Sequence, residues 1–245
     1  RGSKKEPIIL LSSDSSGHGI IVMQAGNRSI LKNVIFKDLA MKNRIGFNFT
    51  GCVTFYESDV DIDSSVFNNL KAEDALNIIR SDFSLSNTTF NNIFSDAVDI
   101  DFGKGIIQDS IFSQVGNDGI DISGSDVKIV NSKLFNSGDK GISIGEKSKA
   151  YIENILIDSS YIGIAIKDGS DLNGEKINVH SSDIGLAAYQ KKSEYNSSKV
   201  NLVNSKLIGD KQSLMIEKDS DVYINEKRIK PNIQKVYSKL YSSEI

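Results

Sequence analysis

The chain has 245 residues, 39% of them hydrophobic, enough to bury a sizeable core in one or two domains. Lys and Arg total 29 against 32 Asp and Glu, and no basic run is interleaved with aromatics, so nucleic acid is not an expected partner. Cys52 is the only cysteine, which excludes an internal disulfide and a multi-Cys metal site, and no apolar run approaches the roughly 18 residues of a membrane span.

The opening Arg-Gly-Ser-Lys-Lys has no initiator Met and no signal peptide follows it, so the compartment is unknown and the chain reads as an excised piece. It passes almost at once into Ile8-Ile9-Leu10-Leu11 with no capping helix, so a preceding domain is expected to cover this edge.

From residue 29 a repeat takes over. An apolar column reads Phe36, Phe67, Phe90, Phe112, Leu134, Ile157, Val179 and Leu207, with spacings of 31, 23, 22, 22, 23, 22 and 28. Three positions before each lies Asn33, Ser64, Asn87, Asp109, Asn131, Asn154, Lys176 or Asn204. Each unit carries two short period-two strands bounded by Asn, Gly, Asp or Ser, such as Val127-Lys128-Ile129 and Gly141-Ile142-Ser143-Ile144. No helical stripe persists. Units this small cannot bury an apolar face alone and must stack. The expected fold is all-β: a right-handed parallel β-helix of three-faced coils about 22 residues long, about 4.8 Å apart. The Asn column is expected to turn inward at a coil corner and bond the next coil, and the Phe column to stack in the core.

Two coils are longer than the template. Between Ile45 and Asp59, GFNFTGCVTFYES reads as a longer strand or an arm against the solenoid. Between Tyr189 and Lys199, QKKSEYNSS reads as a charged, Tyr-bearing loop, where such scaffolds place function. The chain is taken as a single domain, 1–245, with regular coils over 29–221 and a C-terminal cap over 222–245. The cap reads as a last strand or hairpin, Pro231 and a short amphipathic segment.

The Asn-x-x-Phe and Gly-Ile-x-Ile repeats, as in NTTF at 87–90 and NDGIDI at 117–122, resemble the right-handed parallel β-helix proteins of the pectate-lyase-like superfamily over residues 29 to about 220. More narrowly, EDALNIIRS (73–81), SDAVDIDFGKG (95–105), GNDGIDISGS (116–125), GDKGISIGEKS (138–148) and AAYQKK (187–192) resemble bacterial β-helical regions that follow kinase-like domains of the spore-coat (CotH) type. That resemblance implies no established activity, and an extracellular or cell-surface location rests on fold analogy alone. Polygalacturonase-type hydrolases carry Asn-Thr-Asp, Asp-Asp, Gly-His-Gly and Arg-Ile-Lys strands on successive coils. Here the matching positions are Ser95-Asp96, Asn117-Asp118, Asp139-Lys140-Gly141 and Ala165-Ile166-Lys167, so Asp96, Asp118 and Lys167 survive and half of the set is lost.

Aspartates stand out on adjacent coils. One outward column reads Asn77, Asp99, Asp121, Ser143, Ala165 and Ala187; its neighbour reads Asp101, Ser123, Gly145, Lys167 and Tyr189. The preceding turn carries Asp74, Asp96, Asp118 and Lys140. Carboxylates about 5 Å apart repel, so a proton, a cation or a basic side chain must compensate. Arg80, Lys104, Lys140 and Lys167 are the basic candidates. Asp99, Asp101 and Asp121 are the metal candidates, with Ca²⁺ as the ion; no cofactor is required.

Three readings stay open. The turn aspartates could simply accept backbone N–H bonds. The face could bind a polysaccharide or protein ligand through Asp74, Arg80, Asp99, Asp101, Asp121, Lys167 and Tyr189, in a non-catalytic recognition or scaffold module. Or it could belong to a lyase, epimerase or inverting hydrolase using Asp96, Asp99, Asp118, Asp121, Lys140 and Lys167. Tyr56, Tyr161, Tyr189 and Tyr195 are the available stacking platforms, there being no Trp. His18 and His180 are isolated.

Overall fold

The structure, a computed structural model, describes residues 1–41 and 49–241. The chain winds through about ten coils, each giving one strand to each of three parallel sheets. The first sheet stacks Leu10, Phe36, Phe67, Phe90, Phe112, Leu134, Ile157, Val179 and Leu207 in exact register. The phenylalanine rings lie 4.9, 4.5 and 5.0 Å apart and are fully buried. Each such side chain contributes roughly 1.5–3 kcal/mol by burial, and ring stacking adds to it. Pairing begins before residue 29, because Ile8–Leu11 already pairs with Val34–Lys37.

The Asn column differs from the expectation. It lies outside the core, and every member adopts a left-handed backbone with φ between +49° and +58°. Asn and Asp accept that conformation more readily than most residues, which is why the corner favours them. The bond between coils survives on the surface, where Asn154 Nδ2 donates to Asn131 Oδ1 at 2.9 Å. The buried polar position is the next residue, a hydroxyl at Ser65, Thr88, Ser110, Ser132 and Ser205. The Val34, Thr88 and Ser110 amides donate to Oγ of Ser65, Ser110 and Ser132 one coil on, each at 3.2 Å. A second corner repeats the device, the amides of Ser58, Gly103 and Ser125 donating to Ser81, Ser125 and Ser148. These ladders satisfy amides that the turns would otherwise strand.

The second sheet bears the aspartates. Its Gly-Ile-x-Ile frame has a packing cause: a Cβ on Gly119, Gly141 or Gly163 would meet the carbonyl oxygen of the next glycine in the column at 2.6, 2.7 and 2.6 Å. Gly51–Tyr56 is a regular, largely buried strand of this same sheet, not an arm; the rest of that long coil, residues 42–48, lies outside the described residues. Residues 190–198 form the expected loop, held by the Asp168 carboxylate, which accepts the amides of Lys191 and Lys192 at 2.7 and 2.8 Å.

The C-terminal cap is a hairpin, Asp221–Ile224 with Lys227–Ile229, followed by the helix Val236–Tyr241. Ile224 and Ile229 close on the main core. The helix reaches further than a cap over the last coil. Val236 and Leu240 pack on the outer face of the aspartate-bearing sheet, against Ile162, Ala165, Ile184, Ala187 and Met215.

Candidate functional site

Register places the acidic columns as the repeat requires. Asn77, Asp99, Asp121, Ser143, Ala165 and Ala187 pair in sequence, as do Asp74 and Asp96. The turn aspartates accept the next coil's amides: Asp96 Oδ1 takes Asp118 N–H at 2.8 Å, and Asp118 Oδ1 takes Lys140 N–H at 3.0 Å. Asn117 Nδ2 also donates to Asp96, at 2.6 Å. Backbone satisfaction is therefore one physical role of this column.

The charge is not spread evenly. Upstream coils carry carboxylates and downstream coils carry ammoniums. Asp74 is buried, with one carboxylate oxygen unpartnered, and burial pushes its carboxyl up to about 7. Burial, then repulsion from Asp74, Asp101, Asp121 and Asp96, pushes Asp99 up to about 10. Burial likewise raises Asp101, and Asp96 to about 6. Asp99 Oδ2 accepts Asn77 Nδ2 at 2.9 Å. Protonation thus offsets the repulsion in the upstream part of the stack. Among the described residues no three His, Cys, Asp or Glu side chains are arranged to hold a metal ion, Asp99, Asp101 and Asp121 included. Arg80 does not compensate either. It sits at an outer corner with φ +49° and pairs with Glu57 at 3.6 Å. Lys104 faces Asp126 at 3.9 Å, also away from the stack.

Downstream the side chains enclose a cavity of about 270 Å³, lined by Asn117, Asp118, Asp121, Asp139, Lys140, Lys167, Tyr189, Lys191, Tyr237 and Tyr241. The Lys140 ammonium pairs with Asp118 at 3.3 Å and contacts Asp139. Burial alone would lower it, but Asp118 and Asp139 hold it above its usual value. Asp118 titrates at about 7, burial outweighing that ion pair. Lys167 is only 8% exposed, and its ammonium has no hydrogen-bond or ion-pair partner among the described residues. The Lys191 ammonium lies 5.9 Å from the Tyr237 ring and is lowered by burial, then by Lys167 and Lys140.

Of the residues singled out from sequence, Asp118, Asp121, Lys140, Lys167 and Tyr189 converge here, while Asp74, Asp96, Asp99 and Asp101 lie on the coils upstream and Arg80 lies apart. Tyr189 is 1% exposed, so it is wall and not an open stacking platform. Tyr161 is engaged too, its hydroxyl donating to the Leu240 carbonyl at 3.3 Å. Sequence reasoning missed Tyr237 and Tyr241, brought in by the helix; Tyr241 Oη donates to Asp139 at 3.2 Å. Cys52 is buried and raised to about 12 by that burial, the inert thiol of the core.

No curated protein is detectably similar to this chain. Among solved structures it is similar to the catalytic domain of a GH87 α-1,3-glucanase bound to nigerose, at 12% identity and TM-score 0.39, over 95% of this chain and 56% of that one. It is also similar to pectate lyase Pel9A, at 13% identity and TM-score 0.39, over 89% of this chain and 68% of that one. Tailspike protein 3 of bacteriophage CBA120 is more distant, at 12% identity and TM-score 0.30, over 90% and 49%. The chain thus spans little more than half the length of the glucanase domain. Residues 74–229 match the family described as the right handed beta helix region, which does not extend to the narrower spore-coat group. By that match, and by its three parallel sheets of stacked coils, the chain belongs to the right-handed β-helix family.

Proposed function

We propose that this β-helix is a recognition module whose ligand is a saccharide bearing acidic groups, seated in the cavity between the second sheet and the C-terminal helix. The observation that carries the reading is Lys167, a side chain only 8% exposed whose ammonium opens into the cavity and has no hydrogen-bond or ion-pair partner among the described residues. A cation held at the bottom of a cavity by an otherwise buried side chain is placed to meet an acceptor from a ligand. The same cavity presents the Asp121 carboxylate, which accepts the Ile122 amide and has a second oxygen for a ligand donor, beside Asp118, which Lys140 already holds. Sugar hydroxyls both donate and accept, and an acidic substituent matches the ammoniums. Three tyrosines supply apolar wall. A panel of neutral and acidic polysaccharides tests this, with retention and products both measured. Retention of an acidic polysaccharide without turnover, weakened at least tenfold by Lys167→Gln, is the expected result. Equal retention by the variant, or no retention of any polysaccharide, refutes it.

A second reading is a polysaccharide lyase, epimerase or inverting hydrolase acting in the same cavity. It is favoured by Asp118, whose titration at about 7 leaves it partly protonated at neutral pH, as a general acid must be. Asp121 or Asp96 would serve as base. Unsaturated or shortened products in the same panel, abolished by Asp118→Asn, would establish this reading over the first.

A further inference from the structure

The outward column that runs along the second sheet decides how a chain-like ligand can enter. In order it reads Thr54, Asn77, Asp99, Asp121, Ser143, Ala165, Ala187 and Met215. Thr54, Asn77, Ser143, Ala165, Ala187 and Met215 are all buried, at 2% exposure or less. Only Asp99 and Asp121 reach solvent. The sheet face is therefore not an open track along the solenoid axis.

Downstream the closure has a defined cause. Asn232 is clamped to the last coil, its Oδ1 accepting the Ile216 amide and its Nδ2 donating to the Leu214 carbonyl, both at 2.8 Å. The Val236 amide then donates to Glu217 Oε2 at 2.9 Å. From there Val236 and Leu240 seal the apolar outer face, and Tyr237 and Tyr241 form the cavity wall on the helix side. A polymer lying parallel to the axis would meet this helix immediately past Lys167 and Tyr189.

We infer that the cavity takes the terminus of a saccharide chain and not a segment from its interior, the terminal unit lying against Lys167 and Lys191 with the helix Val236–Tyr241 as the stop. This rests on the saccharide reading above and adds the mode of engagement to it. The loop that carries Lys191 belongs to the same stop, since its backbone is pinned by Asp168 and Lys192 contacts Glu146.

The test uses the full chain and a linear polyuronate, intact and after partial acid hydrolysis, compared at equal total mass. Tyrosine fluorescence reports occupancy, because the cavity holds three tyrosines and the chain has no tryptophan. Bound protein at sub-saturating ligand is expected to rise in proportion to the number of chain ends, so halving the mean chain length doubles it. Binding that follows total mass whatever the chain length overturns the terminal mode while leaving saccharide recognition standing. No binding of any saccharide brings down both. A Leu240→Asp variant, whose helix can no longer seat on Ala165 and Ala187, is expected to lose the preference for ends. If it keeps that preference with an undocked helix, the helix is not the stop and the inference fails.

Discussion

Replacing Asp99 by Asn should stabilise the protein, and the gain should depend on pH. Asp99 is half-buried between Asn77 and Asp121 in register, with Asp74, Asp96 and Asp101 also bearing on it, and its carboxyl holds a proton well above pH 7. In the unfolded chain it would ionise around its ordinary 3.8. Below that pH both states keep the proton and titration costs nothing. At each higher pH unit the unfolded state gains about 1.4 kcal/mol, because only it releases the proton. The limit at pH 7 is therefore about 4 kcal/mol against folding. Partial solvent contact and sharing of the repulsion with the other carboxylates bring this to about 2 kcal/mol. Asn cannot ionise, has nearly the shape of the protonated acid, and keeps an oxygen for the Asn77 amide, which donates at 2.9 Å. For a chain of this length the gain amounts to a melting temperature higher by about 4–8 °C at pH 7 and by little at pH 4. Circular dichroism melts of both proteins across that range provide the measurement. Equal gains at pH 4 and pH 7, or a loss at pH 7, would refute the reasoning.

Lys140→Met leaves Asp118 buried without its counter-charge, so urea unfolding at pH 8 should show a loss of about 3–5 kcal/mol. That loss should shrink at pH 5, since Asp118 titrates at about 7 and is then neutral. Ser110→Ala strips the acceptor from the Thr88 amide in the buried hydroxyl ladder, and should cost about 1–3 kcal/mol with faster hydrogen exchange at Thr88. Removing divalent ions with a chelator should leave the melting temperature unchanged, because a proton on Asp99 relieves the stack; a fall on chelation, reversed by Ca²⁺, would assign the compensation to a cation at Asp99, Asp101 and Asp121.

The parts of the fold that were legible in the sequence are those where two periods act together. The strand period of two and the coil period near 22 jointly set which residues stack, so the column from Phe36 to Leu207 and the pairing of Asp99 with Asp121 follow to the residue. Corners obey neither period. At Asn87-Thr88 or Asn131-Ser132 two small polar residues adjoin, and the sequence does not say which one turns inward; the left-handed backbone puts Asn outside and the hydroxyl inside. The short amphipathic cap after Pro231 is expected from the sequence, but its docking on the outer face of the second sheet is not, for a different reason. Six residues are too few to carry a periodic signature, and the helix is held by tertiary contacts. A trace of it was present elsewhere: the outward column changes from Asp121 and Ser143 to Ala165 and Ala187, small apolar residues on a face that would otherwise meet water. A covered surface explains that change.

The two aspartates that reach solvent in that column are not required by the coil. Asn77 and Ser143 occupy the same column one coil to either side, so the sheet accommodates neutral residues there without altering its register. Asp99 in particular, its carboxyl raised by burial and by neighbouring carboxylates, is predicted to cost folding free energy, and protein folds ordinarily concentrate such departures where function needs them. Asp121, one coil on from Asp99, lines the cavity where Lys167, two coils further downstream, has no partner among the described residues. In the proposed complex the carboxylates would receive hydroxyl donors, the ammoniums an acidic group, and the helix would fix where the ligand ends. The same rigid register that makes the core legible thus holds both charge types at fixed multiples of the coil spacing, which a loop-borne site would have to secure by other means.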